Sequence, residues 1–453
     1  TGEAPPGEAL LGGASPGGAS LGGGPAPGPT VAGVGGQEYR GGTIRSAKEP
    51  AMTNLEARYD HVIIGGGVAA DSAARAIRDA SPDATIAILS ADPHEPVYRP
   101  ALSKDLWTGE SADPDSQDLR TAEETGASLF TSTLVTELLP NSHGVLTARG
   151  NHLRYGKALL ATGSSARHFP GVHDDRVVCL RTVGDYRHLR TLATEGTRIV
   201  VIGGGYIGSE IAAGLTRTGA QVTLAHAGRH LLEHMFPASL TAHLEQTFAD
   251  HGVTVVPGFR LMGIGTGEEL MVHAGAAESL GADVVVLGLG AELNTNLAAH
   301  AGLDLDRGAV VVDPSLRTSS PDVYAAGDIA LFDDPLLGLR HVEHVDHAQA
   351  SGTVAGKNMA GADEPYEHTP MFFSDLFDDG YEAVGRLDSS LEMREVWNED
   401  RTAAVVHYLE DGAVEGVLLW NTWDSVERAR ELIAASQNGE VTPDELDGRI
   451  PPG

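Results

Sequence analysis

Two short glycine-rich stretches carry the first chemical signal in this sequence. Gly65-Gly66-Gly67-Val68-Ala69-Ala70 follows the apolar run His61-Val62-Ile63-Ile64, and Gly203-Gly204-Gly205-Tyr206-Ile207-Gly208 follows Arg198-Ile199-Val200-Val201-Ile202. The first glycine of each (Gly65, Gly203) permits a tight turn out of a strand. The second (Gly67, Gly205) lets backbone approach a pyrophosphate, and the third small residue (Ala70, Gly208) allows helix and strand to pack closely. The helix that follows turns free N–H groups and the positive end of its dipole toward the phosphates. One such turn is a weak signal, because glycine turns between strand and helix are often only structural. Two copies, each in a strand–turn–helix setting, are a strong one.

The elements that must hold these turns can be read from periodicity. A helix is expected from Val68 to about Ala80 and a strand over Ala84–Leu89; the same grammar gives a helix from Tyr206 to about Thr218 and a strand over Gln221–Leu224. Strands alternating with helices argue for parallel sheets covered on both faces. The expected fold class is α/β, with two Rossmann-like dinucleotide-binding domains.

Composition narrows the function. Of 453 residues, 63 are acidic and 31 basic, giving a net charge of −32, and the only lysines are Lys48, Lys104, Lys157 and Lys357. Such a surface repels phosphate backbones and anionic membranes, so no nucleic-acid partner is expected. The sequence has no apolar run long enough to span a bilayer, and a cytoplasmic protein is expected. A single cysteine, Cys179, cannot form an internal disulfide or a redox-active pair; within Val177-Val178-Cys179-Leu180 it reads as a small buried strand residue. Residues 1–51, rich in Gly, Pro, Ala and Ser, cannot bury enough apolar surface to offset their ordering entropy and are expected to form a disordered leader, the folded protein starting near Met52.

Three further segments sharpen the reading: Leu159-Leu160-Ala161-Thr162-Gly163, Val284-Val285-Val286-Leu287-Gly288-Leu289-Gly290, and Thr318 to Gly327-Asp328. In this order they resemble the ATG, GxG and strand-GD segments of the flavoproteins with two dinucleotide-binding domains. Four more stretches are similar to the apoptosis-inducing-factor and ferredoxin-reductase branch: Tyr98-Arg99-Pro100-Ala101-Leu102-Ser103-Lys104-Asp105-Leu106-Trp107, His341-Val342-Glu343-His344-Val345-Asp346-His347-Ala348, Met371-Phe372-Phe373-Ser374-Asp375-Leu376 and Val417-Leu418-Leu419-Trp420-Asn421. The resemblance implies FAD and NAD(P)H as cofactors. It implies an FAD domain in two pieces (residues 57–168 and 300–366), an inserted NAD(P) domain (169–299), an α+β C-terminal interface domain (367–440), which is compatible with a homodimer, and a flexible tail (441–453).

It also implies roles. Gly65, Gly67, Val68, Ala69, Ala70, Arg99, Lys104, Val135, Ala161, Thr162, Gly163, Gly327 and Asp328 would contact FAD, Asp328 by accepting from the ribityl hydroxyls. Glu343, His344 and Phe373 would lie near flavin and nicotinamide, and Gly203, Gly205, Tyr206, Ile207, Gly208 and Gly290 would serve the nicotinamide nucleotide. Lys104 and Glu210 form the implied catalytic pair: a lysine near flavin N5 stabilises negative charge on the reduced ring, and a glutamate positions it. Tyr206 would gate the nicotinamide side. His341, His344 and His347 could share a helix face, but their segment matches the flavin-site motif, so no metal is expected.

Two departures stand out. The acid expected for the adenosine ribose of FAD falls at Ala91, with Asp92 one step on. In the second unit the strand ends Leu224-Ala225-His226-Ala227-Gly228-Arg229-His230, with no acid for a ribose 2′-hydroxyl; His226 and Arg229 lean toward NADPH or dual use. The expected activity is hydride transfer to FAD and electron transfer to an external acceptor, a ferredoxin or rubredoxin, a quinone or oxygen. The alternative is a slow-turnover, redox-responsive binding protein of the apoptosis-inducing-factor type. A disulfide reductase is excluded by the cysteine count.

Overall fold

The computed structural model describes residues 57–109, 111–275 and 278–453, so the expected leader lies outside the described residues. Its first sheet places parallel strands in the order Ser128–Phe130, Ile86–Leu89, Ala57–Ile64, His152–Leu160 and Val323–Ala325. The N-terminal part of His152–Leu160 also pairs antiparallel with Gly144–Thr147, which in turn pairs with Val135–Leu139. The apolar half of Ala57–Ile64 is buried on both faces, as a strand covered by helices must be. One covering pair is the helix Val68–Ala80 and the helix Val345–Met359. They approach so closely that a Cβ at Gly352 would stand 2.4 Å from the carbonyl oxygen of Ala69, and one at Gly356 2.4 Å from that of Ala73.

The second sheet is wholly parallel: Thr254–Val256, Gln221–Ala225, Arg198–Ile202, Val284–Leu287 and Val177–Cys179. It repeats the first at the level of single backbone bonds. Gly65 N donates to Leu89 O at 2.9 Å and Gly203 N to Ala225 O at 2.9 Å; Ala161 N donates to Ile64 O at 2.8 Å and Gly288 N to Ile202 O at 2.7 Å. Ala161 and Gly288 are thus equivalent positions in two copies of one unit. Two antiparallel segments, Ser164–Ala166 and Ala291–Leu293, run beside each other where the chain passes between the sheets. The fold class read from the sequence is the one found, and the helix Val68–Ala80 has the expected bounds. The helix after the second turn, Tyr206–Thr216, stops two residues early. Cys179 ends its strand with 7% of its surface exposed, and burial pushes its thiol up to about 11.

The C-terminal part is an antiparallel sheet ordered Met371–Leu376, Asp379–Gly385, Ala413–Trp420, Ala404–Glu410 and Glu392–Trp397. One face packs on the helix Val426–Gln437 through Val417, Leu419, Leu432 and Ile433. The other joins the core of the second unit through Tyr381, Tyr408 and Trp420, and Tyr408 Oη donates to Met235 O at 2.6 Å. The segment 441–453, expected to be a flexible tail, is packed instead. Leu446 and Ile450 are each 1% exposed and belong to the core under the C-terminal sheet, because apolar residues four apart on a short turn can share one buried face. Among the described residues no helix is long and apolar enough to cross a membrane.

Two measurements follow. Ile450→Ala deletes a buried side chain and is expected to destabilise the protein by about 2–4 kcal/mol, read as a lower urea midpoint with an unchanged slope. His407, fully buried on Ala404–Glu410 with neither ring nitrogen hydrogen-bonded among the described residues, is pushed down to about 4 by burial. The unfolded chain therefore binds its proton more readily, near pH 6.5, than the folded one. The stability this ring contributes is complete above about pH 6.5 and is lost as pH falls toward 4. Thermal midpoints measured across that window should drop on acidification, and less steeply for His407→Leu.

Candidate active site

Both glycine turns adopt backbone that only glycine allows. Gly65 has φ +131° and Gly203 φ +119°, and a Cβ on either would lie 1.9 Å from Ala161 O or 2.1 Å from Gly288 O. Gly67 and Gly205 then begin their helices in extended conformation with no side-chain cap. The first N–H groups of each helix are left for a ligand, and around the absent Cβ of Gly205 nothing lies within 4 Å. Ala70 is fully buried, and a Cβ on Gly208 would meet Gly203 O at 1.8 Å. These two, with Gly203, shape the turns from behind and do not line the cavity.

The turns open on one cavity of about 1180 Å³, at the carboxyl ends of both parallel sheets. It exceeds the roughly 300–1,000 Å³ of ordinary ligand pockets, as an extended dinucleotide requires. Of the expected site residues, Gly65, Gly67, Val68, Ala69, Arg99, Lys104, Val135, Ala161, Thr162, Gly163, Gly205, Tyr206, Ile207, Glu210, Gly290, Gly327, Asp328, Glu343, His344 and Phe373 all line it. Arg99 stands beside Gly67 and donates to Arg181 O at 3.0 Å. Asp92 lies 3.5 Å from Arg99 and accepts from the His94 amide at 3.0 Å. Burial raises its carboxyl, but the bonds from His94 and the nearby arginine hold it below the usual range.

Asp328 follows Gly327, whose amide donates to Ser351 Oγ at 3.0 Å. Its Oδ2 accepts from Ser164 Oγ at 2.7 Å and Arg181 Nη2 at 2.9 Å, which fixes the carboxylate while leaving Oδ1 for a hydroxyl donor. Arg181 was not singled out from the sequence; it lies alone in a loop, and its role comes from a contact across 147 residues.

The centre of the cavity is Lys104 with Glu210. The ammonium donates to Glu210 Oε1 and lies 5.4 Å from the centre of the Phe373 ring. Glu210 is 4% exposed and sits one helical turn after Tyr206, so both face the cavity. Its carboxylate takes two further bonds, from Ser103 Oγ to Oε2 and from Ser374 Oγ to Oε1, each 2.6 Å. Neither serine was predicted as a site residue, although both stand inside motifs that were. Phe372, also missed, lines the cavity with its ring 4.5 Å from that of His344 and 5.5 Å from that of Tyr206. Burial, and then the nearby Arg340, push His344 down to about 4, so the imidazole facing the cavity is neutral. Burial, and then Glu210, hold the Tyr206 phenol well above its ordinary range. His341, His344 and His347 do not share a helix face: the helix Val345–Met359 begins after His344, and only His347 lies on it.

The second unit's strand end differs from expectation. His226 is 4% exposed, its ring packed at 3.0 Å from where a Cβ of Gly204 would stand, and it does not line the cavity. Arg229 is exposed and also lies outside the cavity lining. Its amide donates to Glu233 Oε1 at 3.0 Å and the His230 amide to Oε2 at 3.2 Å. An acid therefore reaches this loop from a position the strand-end rule does not inspect.

Comparison with known proteins agrees with this geometry. The pyridine nucleotide-disulphide oxidoreductase family matches residues 59–352, and the C-terminal region of the mitochondrion-associated apoptosis-inducing factor matches residues 355–404. A mitochondrial apoptosis-inducing factor 1 of Drosophila melanogaster is 32% identical over 87% of this chain, which spans 59% of that protein's length. The ferredoxin–NAD(+) reductase component of an anthranilate 1,2-dioxygenase system from Burkholderia cepacia is 33% identical over 83% of this chain and 94% of its own. Among solved structures, putidaredoxin reductase in its covalent complex with putidaredoxin superposes with a TM-score of 0.76 at 26% identity, over 86% of this chain and 95% of that one. The family match over residues 59–352 and relatives 30% or more identical over most of the chain place it in the pyridine nucleotide-disulphide oxidoreductase family, as an FAD-dependent NAD(P)H oxidoreductase of ferredoxin-reductase type.

Proposed function

We propose that this protein takes a hydride from NADH and passes the electrons one at a time to a ferredoxin-type iron–sulfur protein. The observation that carries this reading is the Lys104–Glu210 pair, buried where the two nucleotide-binding turns meet. FAD, when bound, would supply the chemistry that the polypeptide lacks, taking up a hydride and giving out single electrons. The chain's own residues bind, orient and exclude water. The two uncapped helix N-termini hold pyrophosphates, Asp328 accepts from a ribityl hydroxyl, and Tyr206 with Phe372 closes the nicotinamide side. Lys104 sets a positive charge where the reduced ring becomes negative. Cys179, single and buried, offers no second electron relay, so the electrons leave to an external acceptor. Relatives named as ferredoxin–NAD(+) reductase components support a ferredoxin-type one.

The choice of nicotinamide nucleotide follows from the loop after Gln221–Ala225. The leaning toward NADPH rested on His226 and Arg229 as phosphate partners. With His226 buried and Glu233 accepting from the Arg229 and His230 amides, that loop carries a carboxylate, which opposes a 2′-phosphate, beside the exposed Arg229 side chain. NADH is the donor this arrangement favours.

A second reading has its own support in the match of residues 355–404 to the C-terminal region of the apoptosis-inducing factor. In it, turnover is slow and a long-lived flavin–nicotinamide complex signals to a binding partner.

Anaerobic titration with NADH decides between them. Bleaching of the flavin bands, followed by fast transfer to a [2Fe–2S] ferredoxin, fits the reductase. A broad long-wavelength band that persists in air, with slow transfer to ferredoxin, quinone and oxygen alike, fits the binding protein and overturns the reductase reading. Lys104→Met and Glu210→Gln should each slow flavin reduction by NADH about 10- to 1,000-fold, the range for losing one group that stabilises developing charge. The wild type should prefer NADH in kcat/KM. Glu233→Gln should narrow that preference by up to about fivefold, the roughly 1 kcal/mol that one like charge contributes at close range in water.

A further inference from the structure

Glu210 carries more bonds than its lysine requires. One carboxylate oxygen, Oε1, receives both the Lys104 ammonium and the Ser374 hydroxyl, and the other receives Ser103. The four residues come from three separate parts of the chain: Ser103 and Lys104 from the segment after the first strand pair, Glu210 from the helix Tyr206–Thr216, and Ser374 from the edge strand Met371–Leu376 of the C-terminal sheet. Ser374 is 1% exposed and does not line the cavity. It reaches flavin chemistry only through Glu210. Across the sheet it stands opposite the buried Tyr381.

A buried carboxylate with too few donors draws its charged partner in and cancels its field. A neutral hydroxyl on the oxygen that also holds the ammonium spreads the negative charge and fixes the rotamer. More of the lysine's positive field is then left for the cavity. From this geometry we infer that Ser374 is a positioning residue: the C-terminal sheet, through Ser374 and Glu210, sets how strongly Lys104 favours reduced flavin. Ser103 does the same from the opposite oxygen. The inference rests on the flavin-reductase reading.

The test is Ser374→Ala and Ser374→Thr in the flavin-loaded full chain, with two readouts. One is the midpoint potential of the bound flavin against a reference dye. The other is the stopped-flow reduction by NADH, split into limiting rate and apparent dissociation constant. Expected for Ser374→Ala is a more negative potential and a limiting rate lower by about tenfold, the cost of one unmade bond to a buried charge, with the dissociation constant unchanged. Ser374→Thr, which keeps the hydroxyl, should restore both readouts. Because the effect runs through Glu210, Ser374→Ala added to Glu210→Gln should change neither further. A wild-type potential and rate in Ser374→Ala, or full additivity with Glu210→Gln, overturns the inference and leaves the reductase reading standing. If Ser374→Ala does not retain flavin, the Glu210→Gln pair decides. A wild-type protein without flavin bands overturns both.

Discussion

Glu210 is a carboxylate only 4% exposed to solvent, and its burial organises the site. Burying a carboxylate is costly unless it is paired and its remaining lone pairs are filled, and breaking such a pair typically costs about 3–5 kcal/mol. Here the pairing is supplied by Lys104 and the filling by Ser103 and Ser374. Because the carboxylate and its donors come from three regions of the chain, it is satisfied only when those regions are assembled in one arrangement. The same arrangement shapes the cavity, since Phe373, next to Ser374 in sequence, and Tyr206, one helical turn before Glu210, line it. Stability and site geometry are therefore set by one contact set.

Around that centre the two nucleotide-binding units do equivalent work with different residues. The backbone bonds that bring Ala161 beside Ile64 and Gly288 beside Ile202 put the third strand end of each unit against its own glycine turn. In each case the turn can exist only because the facing carbonyl meets no side chain. Ligands of open parallel sheets lie outside the carboxyl ends of the strands. The two units contribute residues to one cavity, Gly65 and Gly67 from the first and Gly205 and Tyr206 from the second. The C-terminal sheet then adds Phe372 and Phe373 to the aromatic side that Tyr206 begins.

What the sequence disclosed and what it withheld divide along the distance over which each property is decided. Glycine turns, the helix Val68–Ala80 and the buried strand around Cys179 depend on residues within a few positions, and all were legible. Lys104 and Glu210 were legible as a pair only through the resemblance, since nothing local joins residues 106 apart. Ser374, Ser103 and Arg181 were not legible as site residues: serine and arginine are common, and their significance lies in partners from other elements. His226 shows the converse. Its place at a strand end made it a candidate ligand, but a strand-end side chain can turn inward, and this one packs under Gly204. Glu233 was passed over because the rule for ribose recognition inspects the strand end, whereas a carboxylate seven residues on can return to the same loop. The tail was misjudged because its composition is polar, although two apolar residues suffice to anchor a short turn.

The cavity's electrostatics complete the argument. The protein is strongly acidic, yet the groups facing the centre of the cavity are arranged to present little net charge: His344 is held neutral by burial, Tyr206 keeps its proton, and Lys104 and Glu210 oppose one another. A centre of this kind responds to small changes in hydrogen bonding, because in a medium of low dielectric the balance between two opposed charges is set by whichever neutral donors touch them. The serine hydroxyls are those donors. The surface charge acts on whatever approaches the mouth and falls away within about 8–10 Å in salt. Acceptor encounter and flavin tuning are thus governed by separate charges at separate distances. A member of this family can change its partner by altering its surface without disturbing the pair on which its chemistry depends.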